Sequence, residues 1–158
     1  MEEVSVRFSN TEDHRELNQL KNQVHNYHAS NRPDYYLQSS QSLTEKYYKE
    51  LLGSGHHKIF VLEISDQIIA YAIVEILRHH DNPLISDHKR LFIEDICVDE
   101  KHRKMGIGTK LFKTVEAFCI ENGISHIMLD VWNFNIDAIN FYHQLGMKSV
   151  LNRMEKRL

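Results

Sequence analysis

Residues 96–109 contain a basic turn with two alternate glycines, placed between an apolar segment and the start of an amphipathic helix. Arg103 and Lys104 supply positive charge, while Gly106 and Gly108 lack a Cβ that would hold a ligand away from the backbone. Free backbone N–H groups in the first turn of a helix bind anions. The pattern therefore predicts a site for a phosphate-bearing ligand.

Two familiar phosphate loops do not match this turn. A Walker A loop requires Gly-Lys-[Ser/Thr], whereas Gly108 is followed by Thr109 and only then by Lys110. A dinucleotide-binding turn requires a small residue three positions after Gly108, and Leu111 stands there. A nucleotide-binding enzyme is therefore a less favoured interpretation of this turn. A glycine turn that only begins a helix, with no ligand, is a further alternative.

The cysteines and histidines could supply nucleophiles or metal ligands. Cys97 lies among apolar neighbours with no adjacent histidine, which favours a packed thiol over an acyl-cysteine. His25 and His28 share one face of a predicted helix and are candidates for a substrate pocket, whereas adjacent pairs such as His56-His57 and His79-His80 do not share a face. Because no cysteine joins these groups at ligand spacing, no metal site is predicted.

The elements that must position these residues follow from the apolar periodicity. Ser42-Leu43-Thr44-Glu45 resembles a capping box, and Asn10 or Thr11 can cap the first helix. The predicted helices run from residue 11 to Arg32, for about ten residues after the Ser42 cap up to Gly53, across Leu111 to Gly123 and from Ile136 to Leu145. The predicted strands are Val4–Phe8, Lys58–Ile64, Ile68–Leu77, Leu91–Val98, Ile127–Trp132, Met147–Leu151 and Arg153–Lys156. This order predicts a mixed α/β sheet with helices on both faces.

Composition limits the class of protein. The 158 residues predict one domain over 1–158, and the net charge of −3 argues against nucleic acid as a partner. The longest apolar run, Ile68 to Val74, is too short to span a bilayer, so no membrane partner is predicted. The acidic start lacks an export signal, which predicts a cytoplasmic protein, and its 2 cysteines are then expected to be thiols.

Two motifs carry a family resemblance. Arg103-x-x-Gly106-x-Gly108 after the Ile96–Val98 strand resembles motif A of the GNAT superfamily of acyl-CoA N-acyltransferases. Residues 130–147 resemble its motif B: a strand, an Asn, a short helix with Ala-x-x-Phe-Tyr and a closing Gly-apolar pair. Within that superfamily, residues 93–98, Trp132-Asn133 and residues 139–142 are most similar to the diamine (spermidine/spermine-type) acetyltransferase branch.

The resemblance implies a mixed, mostly antiparallel GNAT sheet in which two strands splay apart to admit the pantetheine of acetyl-CoA. It implies direct acetyl transfer in a ternary complex, without a metal, and a possible homodimer. The implied contacts with the co-substrate are the backbone of Cys97 and Val98, together with Ile96, Arg103, Lys104, Met105, Gly106, Ile107, Gly108, Thr109, Asn135 and Tyr142. Asn135 is also expected to cap the following helix.

The implied reaction needs an acid and a base. An alkyl amine has a pKa of about 10.4 and must lose a proton before it attacks a thioester. Glu94 is the first candidate base and Asp95 the second, and their side chains are expected on opposite faces of the sheet. By resemblance, Tyr142 donates a proton to the departing thiolate.

The acceptor is expected to be a small-molecule amine or a polyamine-like compound. Its candidate contacts are His25, His28, Asp34, Glu94, Asp95 and Trp132. A catalytically silent acyl-CoA-binding regulatory module and a protein N-terminal or lysine acetyltransferase are the alternatives.

Overall fold

The computed structural model describes residues 4–78 and 82–158, so the His79-His80 pair lies outside the described residues. Five strands form a sheet in sequence order: β1 (Val4–Phe8), β2 (His57–Ile64), β3 (Gln67–Leu77), β4 (Arg90–Val98) and β5 (His126–Leu129). Strands β1 to β4 pair antiparallel, and β5 pairs parallel to β4. The mixed, mostly antiparallel sheet is the one predicted.

Four helices accompany the sheet: α1 (His14–Asn31), α2 (Glu45–Gly53), α3 (Ile107–Glu121) and α4 (Ile136–Gln144). The side chain of Thr44 caps α2 by accepting a hydrogen bond from the Tyr47 N–H. Ser42 is therefore not the cap that its sequence pattern suggested, because its hydroxyl donates instead to Asn22 of α1. None of the helices in the described residues is long and apolar enough to cross a membrane.

The alternation of side chains along the strands fills two cores, one on each face of the sheet. Phe60 and Leu62 of β2 face α3, whose buried face contributes Leu111, Phe112 and Val115. Ile59 and Val61 face the other way, toward α1 and α2, whose buried residues are Leu17, Leu20, Tyr48 and Leu51. Helices cover both faces, as predicted.

The C-terminal part departs from the predicted pattern. Residues 145–158 form no strand, so the predicted strands Met147–Leu151 and Arg153–Lys156 are wrong. Val150, Leu151 and Met154 are each more than four-fifths exposed (92%, 82% and 92%), so this segment lacks the sheet partner that would bury its apolar residues. Strand β5 also ends at Leu129, short of the predicted Trp132.

Strand β4 has two irregularities that shape the site. Ile73 of β3 pairs with Asp95 while Val74 pairs with Ile93, so Glu94 is an extra, unpaired residue and forms a β-bulge. On its other edge, β4 pairs with β5 only from Arg90 to Ile93, although β4 continues to Val98. The two strands therefore separate beyond Ile93, as the family resemblance implied.

Candidate active site

The open edge of β4 exposes backbone groups that point away from β3. The Asp99 N–H donates to the Ile69 carbonyl at 2.8 Å, and Tyr71 is the register partner of Cys97. Because hydrogen-bonded and non-bonded pairs alternate along an antiparallel ladder, the backbone of Cys97 points toward β3. The N–H and C=O groups of Ile96 and Val98 point toward the gap between β4 and β5. Of the two expected backbone contacts, Val98 faces this gap and Cys97 does not, so a strand-like ligand would pair with Ile96 and Val98.

The first turn of α3 has free backbone N–H groups of the kind that suit an anion. Gly106 precedes the helix at φ +80°, no side chain caps the first turn, and no acidic residue lies in it. The N–H groups of Ile107, Gly108 and Thr109 therefore lack helical partners. Arg103 reaches back to donate to the Val98 carbonyl at 3.0 Å, and Met105 is 65% exposed. Backbone donors and positive charge thus adjoin the open edge of β4.

Positions 106 and 108 of the turn require glycine for different structural reasons. Gly106 adopts the left-handed conformation, and a Cβ there would meet nothing within 4 Å. Gly108 is not left-handed, but a Cβ there would lie 3.1 Å from the Cζ of Phe141. The close approach at Gly108 is therefore to α4. A side chain at position 108 was expected to project toward a ligand. The structure instead shows that it would project toward Phe141, so glycine here permits the close packing of α3 against α4.

Glu94 and Asp95 lie on the same face of the sheet. Asp95 bonds to Lys21 of α1 and accepts a hydrogen bond from the buried Tyr71 hydroxyl at 2.7 Å. Glu94 approaches His57 at 3.4 Å, on the same side as α1 and α2. The expectation that they face opposite ways is wrong, because the bulge inserts an extra residue and resets the alternation.

The two carboxylates differ in what already holds them. The side chain of Asp95 is only 11% exposed, and its contacts with the ammonium group of Lys21 and the hydroxyl of Tyr71 fix its position. The side chain of Glu94 is 28% exposed and meets only the imidazole of His57 among the described polar groups. Glu94 is consequently the more accessible and less engaged of the two carboxylates.

Tyr142 is mostly withdrawn from solvent on α4, near the charge of Asp95. Burial, and then the negative charge of Asp95, raise the pKa of its hydroxyl to about 12. The hydroxyl is therefore protonated at neutral pH and can donate a hydrogen bond or a proton. Asn135 caps α4 as predicted, accepting from the Ala138 N–H at 3.3 Å.

Cys97 is a packed thiol, as the sequence favoured. It is 3% exposed, and its sulfur contacts the Leu20 carbonyl at 3.3 Å. Burial, and then the charge of Asp95, raise its pKa to about 12, so the reactive thiolate form is suppressed at neutral pH.

An aromatic region lies across the end of α1. Tyr36 joins its parts: the ring of His28 stacks on it at a centroid distance of 6.0 Å, and the His25 ring meets it edge-on at 5.8 Å. The Trp132 indole N–H donates to the Tyr36 hydroxyl at 3.2 Å, and Phe134 stacks on Trp132. The structure therefore brings the candidates His25, His28 and Trp132 together.

Two titratable groups of this aromatic region, His28 and Asp34, have lowered pKa values for different reasons. Burial lowers the pKa of His28, against the opposing effect of Asp95, so its imidazole is neutral at pH 7. Asp34 is already paired with Arg32, and this hydrogen bond lowers the pKa of its carboxyl to about 2. Arg32 also lies over the Trp132 ring at 4.7 Å. Asp34 thus orients Arg32 against Trp132 rather than presenting a free charge.

Sequence reasoning missed three side chains in this neighbourhood: Lys21, His57 and Tyr71. Lys21 carried a usable signal, because it shares a helix stripe with His25 and His28 at i, i+4 and i+7. Tyr71 gave none, since a tyrosine within an apolar strand is indistinguishable from an ordinary core residue until its hydroxyl partner is known.

The chain belongs to the acetyltransferase (GNAT) family, whose family model matches residues 21–147. Human N-acetyltransferase 8B is 37% identical over 68 residues, which are 43% of this chain and 30% of that protein. Mouse thialysine N-epsilon-acetyltransferase is 36% identical over 62 residues, which are 39% of this chain and 36% of that protein. Zebrafish N-alpha-acetyltransferase 50 is 30% identical over 110 residues, 69% of this chain and 61% of that protein. The matched segments thus span about a third of the first of these relatives and under two thirds of the last.

Solved structures match over nearly the whole chain. The BH1408 protein of Bacillus halodurans, solved as a tetramutant, superposes with a TM-score of 0.94 at 28% identity, covering 98% of this chain and 99% of that one. An aminoglycoside N-acetyltransferase solved in complex with CoA has a TM-score of 0.76 at 17% identity, covering 100% and 96%. The second likeness concerns the fold alone.

Proposed function

We propose that this chain transfers acetyl from acetyl-CoA to a primary amine by direct attack within a ternary complex. The observation that supports this proposal most is that four features meet at β4. They are the open strand edge, the uncapped N-terminus of α3, the accessible carboxylate of Glu94 and the protonated hydroxyl of Tyr142. The backbone of Ile96 and Val98 would pair with pantetheine, and the first turn of α3 with Arg103 and Lys104 would hold the pyrophosphate. Acetyl-CoA supplies the activated acetyl thioester.

Glu94 is proposed as the general base and Tyr142 as the acid. Glu94 lies at the bulge where β4 begins to leave β5, and it can take the ammonium proton directly or through one water. Tyr142 keeps its hydroxyl protonated because its pKa is raised to about 12 by burial and by Asp95. Its hydroxyl would donate to the CoA sulfur as negative charge develops there. Asp95 positions this pair electrostatically from its bonds with Lys21 and Tyr71.

The proposed acceptor is a small cationic amine, as in the diamine or thialysine branch. Burial, followed by the charges of Glu94, Asp95, Glu75 and Glu50, raises the pKa of Tyr47, which reports negative potential on this face. An ammonium group is drawn to such a region, and the rings of Tyr36 and Trp132 offer it aromatic faces. The zebrafish relative at 30% identity favours a second candidate, acetylation of protein N-termini.

The deciding experiment measures CoA release with acetyl-CoA and a panel of diamines, thialysine-like amino acids, aminoglycosides and short peptides. Turnover of a small diamine above that of peptides supports the proposal. Turnover of peptides alone would establish the second candidate. Binding of acetyl-CoA without turnover of any acceptor would identify a silent acyl-CoA-binding module instead.

The proposed base is tested with Glu94→Gln, which keeps the shape and removes proton affinity. We expect kcat/KM to fall about 10²-fold at pH 7, and the loss to shrink toward pH 10 as more amine is already neutral. Glu121→Gln, an exposed residue at the end of α3, is the matched control and leaves kcat/KM unchanged. A loss that stays constant from pH 7 to pH 10 would make Glu94 an electrostatic residue.

A cytoplasmic location and a homodimer stay predictions. The exposed apolar residues Val150, Leu151, Met154 and Leu158 offer surface that a second copy could cover. Light scattering on a size-exclusion column measures the mass in solution, and a monomeric mass at micromolar concentration would contradict the homodimer.

A further inference from the structure

Three adjacent strands bring a histidine and two glutamates together on the α2-facing side of the sheet. His57 of β2 is the register partner of Glu75 of β3, and Glu94 projects from the bulge of β4. One ligand atom from each of the three lies within 4.8 Å of the others. In the described residues, neither glutamate pairs with a lysine or an arginine.

His57 is already oriented as a metal ligand would be. Its Nδ1 contacts the Ser54 hydroxyl at 2.9 Å, and its Nε2 points toward Glu94 at 3.4 Å. A hydrogen bond to Nδ1 fixes the orientation of the ring and leaves Nε2 directed toward Glu94, as the hydrogen-bonded histidines of zinc sites are oriented. Ligand atoms on a tetrahedron with bonds of about 2.1 Å are separated by about 3.4 Å, which is the spacing of Nε2 and the Glu94 oxygen.

We propose that His57, Glu75 and Glu94 bind Zn²⁺, and that the bound ion inhibits acetyl transfer by occupying Glu94. An imidazole nitrogen with two carboxylates suits zinc better than Mg²⁺ or Ca²⁺, which prefer oxygen ligands alone. Three protein ligands leave a fourth position for water. The inhibition rests on the proposed role of Glu94, whereas the binding does not.

Sequence analysis predicted no metal site because these ligands are separated by 18 and 19 positions along the chain, with no spacing typical of a metal motif. They converge only because β2, β3 and β4 are neighbours in the sheet. The bulge is essential, since regular alternation cannot place both Glu94 and Asp95 on this face.

Binding is measured by titrating ZnCl₂ into metal-free protein in a calorimeter, with MgCl₂ titrated separately. We expect one Zn²⁺ site of micromolar affinity or tighter, weakened at least tenfold in both His57→Gln and Glu75→Gln, with no comparable Mg²⁺ binding. The matched control is His88→Gln, which removes a histidine whose ring lies 4.5 Å from that of His126. Circular dichroism verifies that each variant is folded.

Unchanged Zn²⁺ affinity in folded His57→Gln or Glu75→Gln overturns the proposed site. Loss of affinity in His88→Gln alone assigns zinc to the His88–His126 pair and also overturns it. Where one variant fails to fold, the other decides, because the two substitutions are on separate strands.

Inhibition is measured against the acceptor amine and against acetyl-CoA. We expect Zn²⁺ to compete with the amine, and the zinc concentration that halves activity to rise at least tenfold in Glu75→Gln relative to wild type. Zinc binding at the three residues with a fully active Glu94→Gln would refute the proposed base and leave the metal site standing. Loss of activity in Glu94→Gln, together with no Zn²⁺ binding by the wild-type protein, would refute only the metal site.

Discussion

The glycine-turn region (residues 99–109 with α4) and the aromatic region (α1 with residues 32–37, Trp132 and Phe134) are built by different means. The first offers backbone N–H groups from one continuous segment, which any sequence with the right turn can present. The second consists of side chains from separate segments, joined by contacts such as that of Trp132 with Tyr36. Backbone recognition tolerates change in side chains, so under the proposed function a change of side chains would alter the acceptor site more readily than the acetyl-CoA site.

Asp95 lies between these two regions. Its charge opposes the lowered pKa of His28 on the aromatic side and contributes to the raised pKa of Tyr142 on α4. It is held by Lys21 of α1 and by Tyr71 of β3. The two regions are therefore formed by different segments, but the charge of Asp95 acts on both of them. Substitutions can show how far the two regions act independently.

Tyr142→Phe is expected to have the largest effect of the substitutions that distinguish the two regions. Removing the hydroxyl while keeping the ring should reduce kcat about 10²-fold for every acceptor and leave acetyl-CoA affinity unchanged, because only thiolate departure is affected. Since the pKa is raised to about 12, the hydroxyl keeps its proton up to pH 10. The loss should accordingly stay constant from pH 7 to pH 10, unlike that of Glu94→Gln.

An acyl donor with a more acidic thiol tests this role directly, because such a thiolate leaves without much help from an acid. Much of the Tyr142→Phe loss should be recovered with that donor. Equal losses with the natural and the activated donor would reject Tyr142 as the acid.

Asp95→Asn tests whether the charge of Asp95 is needed to hold the residues around it. Loss of the charge leaves Lys21 and the Tyr71 hydroxyl without their carboxylate, so we expect the free energy of unfolding to fall by about 2 kcal/mol in urea titrations. Lys21→Met should cost much less in the Asp95→Asn background than in wild type. Glu94→Gln, at a more exposed position, should change stability by less than about 0.5 kcal/mol. Equal stability losses in Asp95→Asn and Glu94→Gln would erase the distinction between the two carboxylates.

Trp132→Leu tests whether the aromatic region acts on the acceptor alone. The indole contacts Tyr36 and lies under Arg32, so its loss should raise the acceptor KM about tenfold while changing kcat and acetyl-CoA affinity less than twofold. Phe8→Leu, at an exposed aromatic of β1, is the control. A tenfold weaker affinity for acetyl-CoA in Trp132→Leu would show that the two regions are coupled.

The smallest effect is expected from Gly108→Ala. Its Cβ would press on Phe141, which should lower the free energy of unfolding by about 1 kcal/mol, and Phe141→Leu in the same chain should recover most of it. Gly106→Ala should cost a similar amount through its positive φ and gain nothing from Phe141→Leu. If Gly108→Ala weakens acetyl-CoA binding with stability unchanged, the ligand and not α4 requires this glycine.

Much of the fold followed from local pattern. The strands from β1 to β4, the helices and the Asn135 cap were predicted because apolar periodicity and capping chemistry depend on residues near in sequence. The two C-terminal strands were predicted wrongly from the same kind of pattern. Alternation marks a segment that can pair, but pairing also needs a free neighbouring edge, which the pattern does not contain.

By itself, the sequence determined the glycine turn, the basic residues beside it, the open helix N-terminus and the tyrosine of α4, since each is a property of one short segment. Tertiary structure decided which way Glu94 and Asp95 face, that Gly108 packs on Phe141, and that His57 and Glu75 join Glu94. Each of these outcomes depends on something that no short segment of the sequence contains. A single bulged residue reverses the side-chain alternation, and contacts across strands or helices depend on elements that are distant along the chain.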